Sequence, residues 1–419
     1  MKHWILATVG LVLLCSTTIS LAGEEPSVQE LLARLEQMEE RMAQMERELE
    51  LARSLAAAAW PPSTERVRAI IRQELAGQPA AARPEWADGL KFGGTMRLRH
   101  EWEGNADADD RQRFRYLLLL SFEKAITEEL SAGFELATAG PDPTSHNETL
   151  GDAFDKDDVY VNRAYMTYKP SSMPGLTLTA GKHKNVWDPI KAKMLWDSDI
   201  SPEGILLRYD FEAGRTLHPW AQVEYFLVDE NHTTPDADGL AFQIGAKTDL
   251  SESMKLTAAA SYYNFDDMNY AGDVRTRENF TDPGGALASD FNLLDLAAEL
   301  SFKLADTPCS VFAEYVENDD TSSGINEYTA WKAGVRVGTA KKPGRWALQL
   351  DYSYVEADAI VSGFGDSDHG RSNYRGPTAK LSYCLFDNTT LSATVYCLDV
   401  VHGNHDNYML TQLDLVVKF

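Results

Sequence analysis

The last residues of the chain, Met409-Leu-Thr-Gln-Leu-Asp-Leu-Val-Val-Lys-Phe419, alternate between two kinds of side chain. One face carries Thr411, Leu413, Leu415, Val417 and Phe419, and the other carries Gln412, Asp414, Val416 and Lys418. Because successive side chains of a β-strand point to opposite faces, this period of two predicts a strand between an apolar medium and a wetter one. A membrane-spanning barrel strand has this pattern. The alternative is the half-buried last strand of a soluble sandwich.

The same alternation begins at Leu90 and recurs along the rest of the chain. The runs lie near residues 90–102, 112–123, 130–139, 158–169, 176–184, 204–212, 219–228, 239–249, 255–264, 291–303, 308–317, 328–338, 345–356, 376–386, 391–399 and 409–419. They predict an all-β transmembrane barrel over residues 88–419, with about 16 antiparallel strands, an even number as in single-chain bacterial barrels. Connections after the even-numbered strands are short, and those after the odd-numbered ones are mostly long and acidic. This asymmetry predicts periplasmic N- and C-termini.

The amino terminus has the features of a secretory signal. Lys2 precedes an apolar run from Trp4 to Leu14, and small residues follow at Ser20 and Ala22, so we expect a signal peptide over residues 1–22. Elsewhere no run approaches the roughly 18 apolar residues of a spanning helix. Integration into a lipid bilayer therefore requires a barrel.

Residues 26–58 follow a seven-residue repeat that predicts an α-helical coiled coil ahead of the barrel. Oppositely charged residues at the flanking positions favour parallel, identical chains and hence a homo-oligomer, with a solitary or otherwise docked helix as the alternative. A short amphipathic helix at 63–77 and a linker to 87 follow. The predicted coiled-coil core consists of Val28, Leu31, Leu35, Met38, Met42, Met45 and Leu49.

Composition argues against two classes of partner. The net charge of −25 disfavours nucleic acid, which requires clustered positive charge. The cysteines that remain after signal removal, Cys309, Cys384 and Cys397, are widely spaced and form no metal or haem motif. We therefore expect no cofactor and no metal.

Charged side chains recur on the inward register of the predicted strands. Five arginines form a predicted pore-lining basic strip: Arg97, Arg99, Arg113, Arg115 and Arg163. Such a strip could orient and filter polar solutes, or its members could pair with Glu101, Glu123 or Glu135 and hold the wall together. Acids are also predicted to face inward, where a water-filled channel would keep them solvated: Glu135, Glu224, Glu299, Glu314 and Asp351.

The connection after the fifth predicted strand, near residues 184–203, is the predicted constriction loop. Its length and polarity allow it to cross a pore and narrow it. The residues expected to act there are Asp188, Lys191, Lys193, Asp197, Asp199 and Glu203.

Two motifs resemble those of a bacterial outer-membrane putative porin family: Trp196-Asp-Ser-Asp-Ile-Ser-Pro-Glu-Gly204 and Asp366-Ser-Asp-His-Gly370. The barrel layout and the third-loop position are similar to those of general porins, and the terminal Phe419 resembles a membrane-insertion signal. The resemblance implies a sixteen-stranded, trimeric diffusion channel whose third loop folds into each pore. The coiled coil is an addition, and its role in peptidoglycan binding or assembly stays open.

The sequence thus predicts a porin in the outer membrane of a Gram-negative bacterium, which allows passive diffusion of small hydrophilic solutes or ions and has no enzymatic activity. Outward His100 has no serine partner at a matching height, so no nucleophile is nominated. A substrate-specific uptake channel is one alternative. The other is an anchor that ties the membrane to the cell wall through its coiled coil.

Overall fold

The computed structural model describes residues 89–105, 108–403 and 408–419. The predicted signal peptide, the coiled coil with its core residues, the short helix and the linker to 87 lie outside these residues. They stay predictions.

The described residues form seventeen strands, of which β4 has only two residues. In chain order the strands are β1 Leu90–Asn105, β2 Ala108–Ala125, β3 Leu130–Thr138, β4 Glu148–Thr149, β5 Val159–Tyr168, β6 Leu176–Lys182, β7 Glu203–Asp210, β8 Leu217–Asp229, β9 Ala237–Ser251, β10 Met254–Asp266, β11 Phe291–Leu304, β12 Thr307–Asn318, β13 Thr329–Gly338, β14 Trp346–Val355, β15 Tyr374–Phe386, β16 Thr389–Val400 and β17 Tyr408–Lys418. Short 3₁₀ turns lie at Met268–Tyr270 and Ser367–His369.

The sheet closes on itself, because β1 pairs with β2 on one side and with β17 on the other. Every pairing is antiparallel, and the closing register runs from Thr95 opposite Lys418 to Asn105 opposite Tyr408. The predicted barrel of about sixteen strands is confirmed, with β4 as a small addition that pairs with β2. The predicted start of the second strand at 112 was too late, because the acidic residues before it belong to the strand.

The two faces of the wall differ as the alternation predicts. Outward side chains such as Leu98, Phe114 and Leu413 are 45%, 60% and 41% exposed, whereas inward Glu101 and Asp414 are almost completely buried. An apolar outer face beside a polar inner face suits a wall between hydrocarbon and a wetter interior.

The carboxyl-terminal phenylalanine completes the seam between the first and last strands. The Phe419 amide donates to the Gly94 carbonyl over 3.1 Å, and the Gly94 amide donates to the Phe419 carbonyl over 2.8 Å. The ring of Phe419 covers Gly94, where a Cβ atom would lie 2.4 Å from the ring Cζ. Glycine at position 94 therefore makes room for the terminal aromatic side chain.

Connections at the two ends of the barrel differ in length. At one end, called the turn end, lie short segments such as 126–129, 252–253, 305–306 and 387–388. The opposite end, called the loop end, carries four long connections: L2 (139–158, which contains the short strand β4), L3 (183–202), L5 (267–290) and L7 (356–373).

Among the described residues, none belongs to a helix that is long and apolar enough to cross a bilayer.

Candidate functional site in the barrel interior

L3 turns into the barrel instead of standing above it. Trp187, Ile190, Ala192 and Met194 are each only 1% exposed, and Ile190 and Ala192 pack on inward Ala297 and Phe312. Apolar side chains at close intervals give this otherwise polar loop a buried face. The length and charges of L3 identified it in the sequence as a candidate to enter the barrel. The apolar residues of L3 explain why it packs on the wall.

A buried carboxylate on β8 fastens the start of L3. Glu224 is fully buried, and its Oε2 accepts a hydrogen bond from Trp187 Nε1 over 2.5 Å. His183 Nε2 lies 3.1 Å from Glu224 Oε1. Burial lowers the pKa of His183, but the hydrogen bond and the charge of Glu224 outweigh it, and the pKa is raised above the usual value. Charge and hydrogen bonding thus hold L3 to the wall at one point.

The middle of L3 is a tight turn that one aspartate stabilises. The carboxylate of Asp188 accepts hydrogen bonds from the amides of Ala192 and Lys193, over 3.0 and 2.9 Å. Lys191 and Lys193 have φ angles of 57° and 55°, a left-handed conformation that is unfavourable for side chains other than glycine. The turn exposes both lysine side chains. Asp188 therefore stabilises the backbone of the turn, and the side chains of Lys191 and Lys193 carry the charge that the turn exposes.

L7 also enters the barrel, which the sequence analysis did not predict. The Asp197 amide of L3 donates to the Phe364 carbonyl over 2.7 Å, and the Ser367 amide of L7 donates back to Asp197 Oδ2 over 3.0 Å. Trp196 stacks on Phe364 with ring centroids 5.6 Å apart. L3 and L7 thus form one unit. The run Ala-Asp-Ala-Ile-Val-Ser-Gly-Phe at 357–364, unusually apolar for a connection, was the available signal.

L5 braces L7 from the loop end. The Asn279 side-chain amide donates to the carbonyls of Ala357 and Ile360 over 2.7 and 2.9 Å, and its Oδ1 accepts from the Ser362 amide over 2.7 Å. One buried side chain thus satisfies three backbone groups of L7, which would otherwise be costly to bury.

Most members of the predicted basic strip are paired with carboxylates. Arg99 binds Asp414 through two hydrogen bonds, with Nε 2.6 Å from Oδ1 and Nη2 3.0 Å from Oδ2. Glu101 lies 2.9 Å from Arg113 and 3.4 Å from Arg115. These pairs show how the strip can hold the wall together, one of the two roles that the sequence left open.

The remaining two arginines differ in their partners. Arg163 lies 3.1 Å from Glu135 and belongs to the same hydrogen-bonded group as Asn162. Arg97 Nη2 donates to the Asn147 side chain over 2.6 Å, and Arg97 has no ion pair among the described residues. Glu123, a predicted partner of the strip, pairs instead with Lys91. Arg97 is thus the strip member with the least compensated charge.

The prediction that the inward acids stay in water is wrong for four of them. Glu135, Glu224, Glu314 and Asp351 are at most 6% exposed. L3, L7 and neighbouring basic side chains account for this burial: Lys332, for example, lies 3.5 Å from Asp351. Glu299 keeps 19% side-chain exposure beside Arg336, at 2.9 Å. The interior near the loops is therefore partly filled.

The other predicted constriction residues lie at different places. Asp197 is buried between L3 and L7, where burial, with Asp366 and Asp199 nearby, raises its pKa. Asp199 accepts a hydrogen bond from the His146 amide of L2 over 3.3 Å. Glu203 is the first residue of β7 and pairs with Lys182 over 2.7 Å, so it belongs to the end of a strand and not to L3.

Water reaches part of the interior. Lys380 of β15 has the inward register of Thr378, which is 6% exposed, yet its own side chain is exposed. Lys193 of L3 is exposed as well, and its positive charge acts on Lys380. Enclosure by the surrounding barrel wall and loops lowers the pKa of Lys193, but the carboxylates of Asp366 and Asp197 outweigh this effect, and the pKa is raised. A solvated, charged space therefore remains beside L3.

A second open space lies among the loops. A cleft of about 310 Å³ separates L2, L3, L5 and L7, and aromatic and charged side chains line it, among them Trp196, Phe364, Arg275 and Arg371. Among the described residues no group of three or more His, Cys, Asp or Glu side chains is arranged to hold a metal ion.

A closed barrel with polar inner side chains and an inserted loop defines the porin class. The sequence profile of a family described as "Putative porin" matches residues 103–283 and 272–419, and the chain belongs to this family. Family and fold together indicate an outer-membrane porin.

Two solved structures show the same fold at low sequence identity. OmpF of Salmonella typhi, solved in complex with daunomycin, is 13% identical with a TM-score of 0.51, and the alignment covers 80% of this chain and 99% of OmpF. OprB of Pseudomonas putida, solved at high pH, is 12% identical with a TM-score of 0.53, with 81% and 96% coverage. Among curated proteins, none matches the sequence significantly.

Proposed function

We propose that the protein lets small hydrophilic solutes or ions diffuse passively through a water-filled passage that L3 narrows. The observation that carries this proposal is the exposure of Lys380 and Lys193 inside a closed barrel. A charged side chain that faces inward and still reaches water requires a solvated passage, because burial without a partner would be costly.

The charges along this passage would set its ion preference. Arg97, Lys193 and Lys380 reach water, while carboxylates pair with the other arginines of the strip. Solvated charges act on ions that pass nearby, whereas paired charges largely cancel. We therefore assign the filtering role of the basic strip mainly to Arg97, and a wall-holding role to Arg99, Arg113 and Arg115.

We further propose the assembly that the sequence predicts. The coiled coil at 26–58 would join identical chains, as a trimer, on the periplasmic side, where both termini would lie. Contact of the coiled coil with peptidoglycan is part of this proposal. The apolar outer wall would face the lipid bilayer.

Conductance across a planar bilayer tests the proposed passage. The mature full-length protein should give discrete ohmic steps, and permeation of neutral sugars should stop above a size limit. An uptake channel for one substrate would instead show conductance that this solute blocks at low concentration. A purified, folded barrel without conductance would overturn the diffusion role and favour the anchor that the sequence left open.

A further inference from the structure

We propose that Asp368, at the tip of L7, is the selectivity-determining acid of the passage. This inference rests on the proposed diffusion function and assigns to a residue of L7 a role that the sequence analysis gave to L3. Asp368 would be the countercharge that keeps the passage from being strongly anion-selective.

The first argument is the position of L7 across the interior. Its Ser367 amide binds Asp197 of L3, while the next residue, Asp368, contacts the basic strip. Asp368 Oδ2 lies 3.4 Å from Arg99 Nη1, and Oδ1 accepts a hydrogen bond from Gln412 Nε2 over 2.9 Å. L7 therefore spans the space between L3 and the β1–β17 wall, and its tip stands where L3 was expected to face the arginines.

The second argument is exposure. Two carboxylates that pair with the strip on its own strands are shielded: the side chains of Glu101 and Asp414 are 1% and 6% exposed. Glu103, which pairs with Arg113 near the loop end of β1, is 27% exposed. The Asp368 side chain is 26% exposed. A passing ion beside Arg99 would thus meet the charge of Asp368 directly, whereas the carboxylates of Glu101 and Asp414 lie behind their arginines.

The third argument is the local balance of charge. Asp368 lies within electrostatic range of Arg97, Arg99 and Lys193, and Lys380 lies within range of Arg97, Arg99 and Lys193. Burial raises the pKa of Asp368, but Arg99 and other groups nearby outweigh it, and the pKa is lowered. Asp368 is therefore ionised at neutral pH. Arg97 and Lys193, which both reach water, lie within range of this acid, and Lys380 lies within range of these two cations.

The fourth argument is that the local structure holds the acid in place. Asp366 caps the turn Ser367–His369 by accepting a hydrogen bond from the Asp368 amide over 2.9 Å. The Ser367 hydroxyl donates to the Thr144 carbonyl of L2 over 3.0 Å, and Gly370, with φ at 81°, ends the turn. A fixed backbone gives a charge at a constant place, which selectivity requires.

The test is the reversal potential of Asp368→Asn in the full mature chain under a KCl gradient. Asparagine keeps the size of the side chain and an oxygen for Gln412 while it removes the charge. The chloride-to-potassium permeability ratio should rise about sevenfold, because one unit charge at about 7 Å in water changes the local concentration of each ion about 2.7-fold and in opposite directions. Asp387→Asn, at an exposed turn-end position, is the matched control and should leave the ratio unchanged.

Asp368→Glu should retain the wild-type ratio, because it restores the charge. If Asp368→Asn does not assemble, Asp368→Ser removes the same charge with a smaller side chain. This variant should raise the chloride-to-potassium permeability ratio by the same factor. An unchanged ratio in a neutral variant that conducts normally would overturn the role of Asp368 and leave the diffusion function intact. Absence of conductance in the wild-type barrel would overturn the diffusion function itself.

Discussion

Trp187 Nε1 donates a hydrogen bond to Oε2 of Glu224 over 2.5 Å, and this contact fastens L3 to a carboxylate that water does not reach. The same carboxylate holds His183 on its other oxygen. Two residues near the start of L3 therefore depend on one side chain of β8. The attachment of L3 to the inner wall, and with it the width of the proposed passage, therefore depends on Glu224.

Replacement of Glu224 by alanine should loosen L3. The change leaves Trp187 Nε1 without its acceptor and His183 without its charged partner, and loss of one partner of a buried charged pair costs about 3–5 kcal/mol. We expect larger and noisier single-channel conductance, together with a lower unfolding temperature. Glu212→Ala, at an exposed turn, is the matched control. Unaltered conductance in a folded Glu224→Ala barrel would show that this contact does not hold the loop.

The attachment of L3 should weaken as pH rises. The pKa of His183 is raised above its reference value of 6.5 by Glu224, against the effect of burial. A raised folded-state pKa contributes stability that is complete below the unfolded value and is lost as pH rises through the folded value. We therefore expect conductance noise to increase above neutral pH. His183→Gln should flatten this dependence, and equal pH profiles for both proteins would contradict the assignment.

Removal of Arg97 and Arg113 together should shift ion selectivity toward cations. Arg97 has no ion pair among the described residues, so most of the effect should come from this residue. Reversal potentials of Arg97→Ala/Arg113→Ala measure the shift, and Lys342→Ala/Arg345→Ala, at an exposed turn, is the control. Identical potentials in all three proteins would remove the strip from the selectivity mechanism.

Substitution of Gly94 by alanine should destabilise the barrel seam. The added Cβ would lie 2.4 Å from the Phe419 ring and 2.8 Å from the Leu119 carbonyl oxygen. Overpacking of this kind costs about 1–3 kcal/mol. Thermal unfolding of the folded barrel measures the loss, and Gly140→Ala, where a Cβ meets nothing within 4 Å, is the control.

The partner of Gly94 provides a second check on the seam. Phe419→Ala should relieve part of the clash, so the combined variant Gly94→Ala/Phe419→Ala should lose less stability than the sum of the two single changes. Strict additivity would mean that the ring of Phe419 does not press on position 94.

Deletion of residues 27–56 should weaken oligomerisation more than barrel folding. The predicted heptad core would be lost, and the barrel wall would keep every pairing from β1 to β17. A weakened oligomer dissociates first at low protein concentration. A dilution series, with the oligomer mass measured by native mass spectrometry at each step, therefore detects the change. An oligomer that dissociates at the same concentration with and without the segment would assign assembly to the barrel.

The barrel could be predicted from sequence because every strand repeats one simple requirement, apolar outside and polar inside. Outward Leu98 and Leu413 are 45% and 41% exposed, and inward Arg99 is 6% exposed, as this requirement predicts. L3 could also be identified, since a long polar connection after a short strand stands out. The end of β1 and the start of β2 could not be predicted, because acidic residues near 109 are typical of a loop. Both strands nevertheless continue into this region.

The partners inside the barrel depend on register and loop entry, which alternation does not determine. Glu101 meets Arg113 because they are opposite each other across β1 and β2, and Asp368 meets Arg99 only because L7 turns inward. Hence the sequence left the role of the arginines open. Burial of Glu314 and Asp351 was missed for the same reason, since no local pattern shows which loop covers a wall.

The seam at Gly94 and Phe419 has a consequence for biogenesis. The strand that pairs with β1, β17, follows all the other strands along the chain, so a growing chain presents an unmatched β1 edge until β17 has been made. Closure of the barrel therefore waits for the synthesis of β17. Any factor that shields β1 in the meantime would protect the nascent protein from pairing with its neighbours.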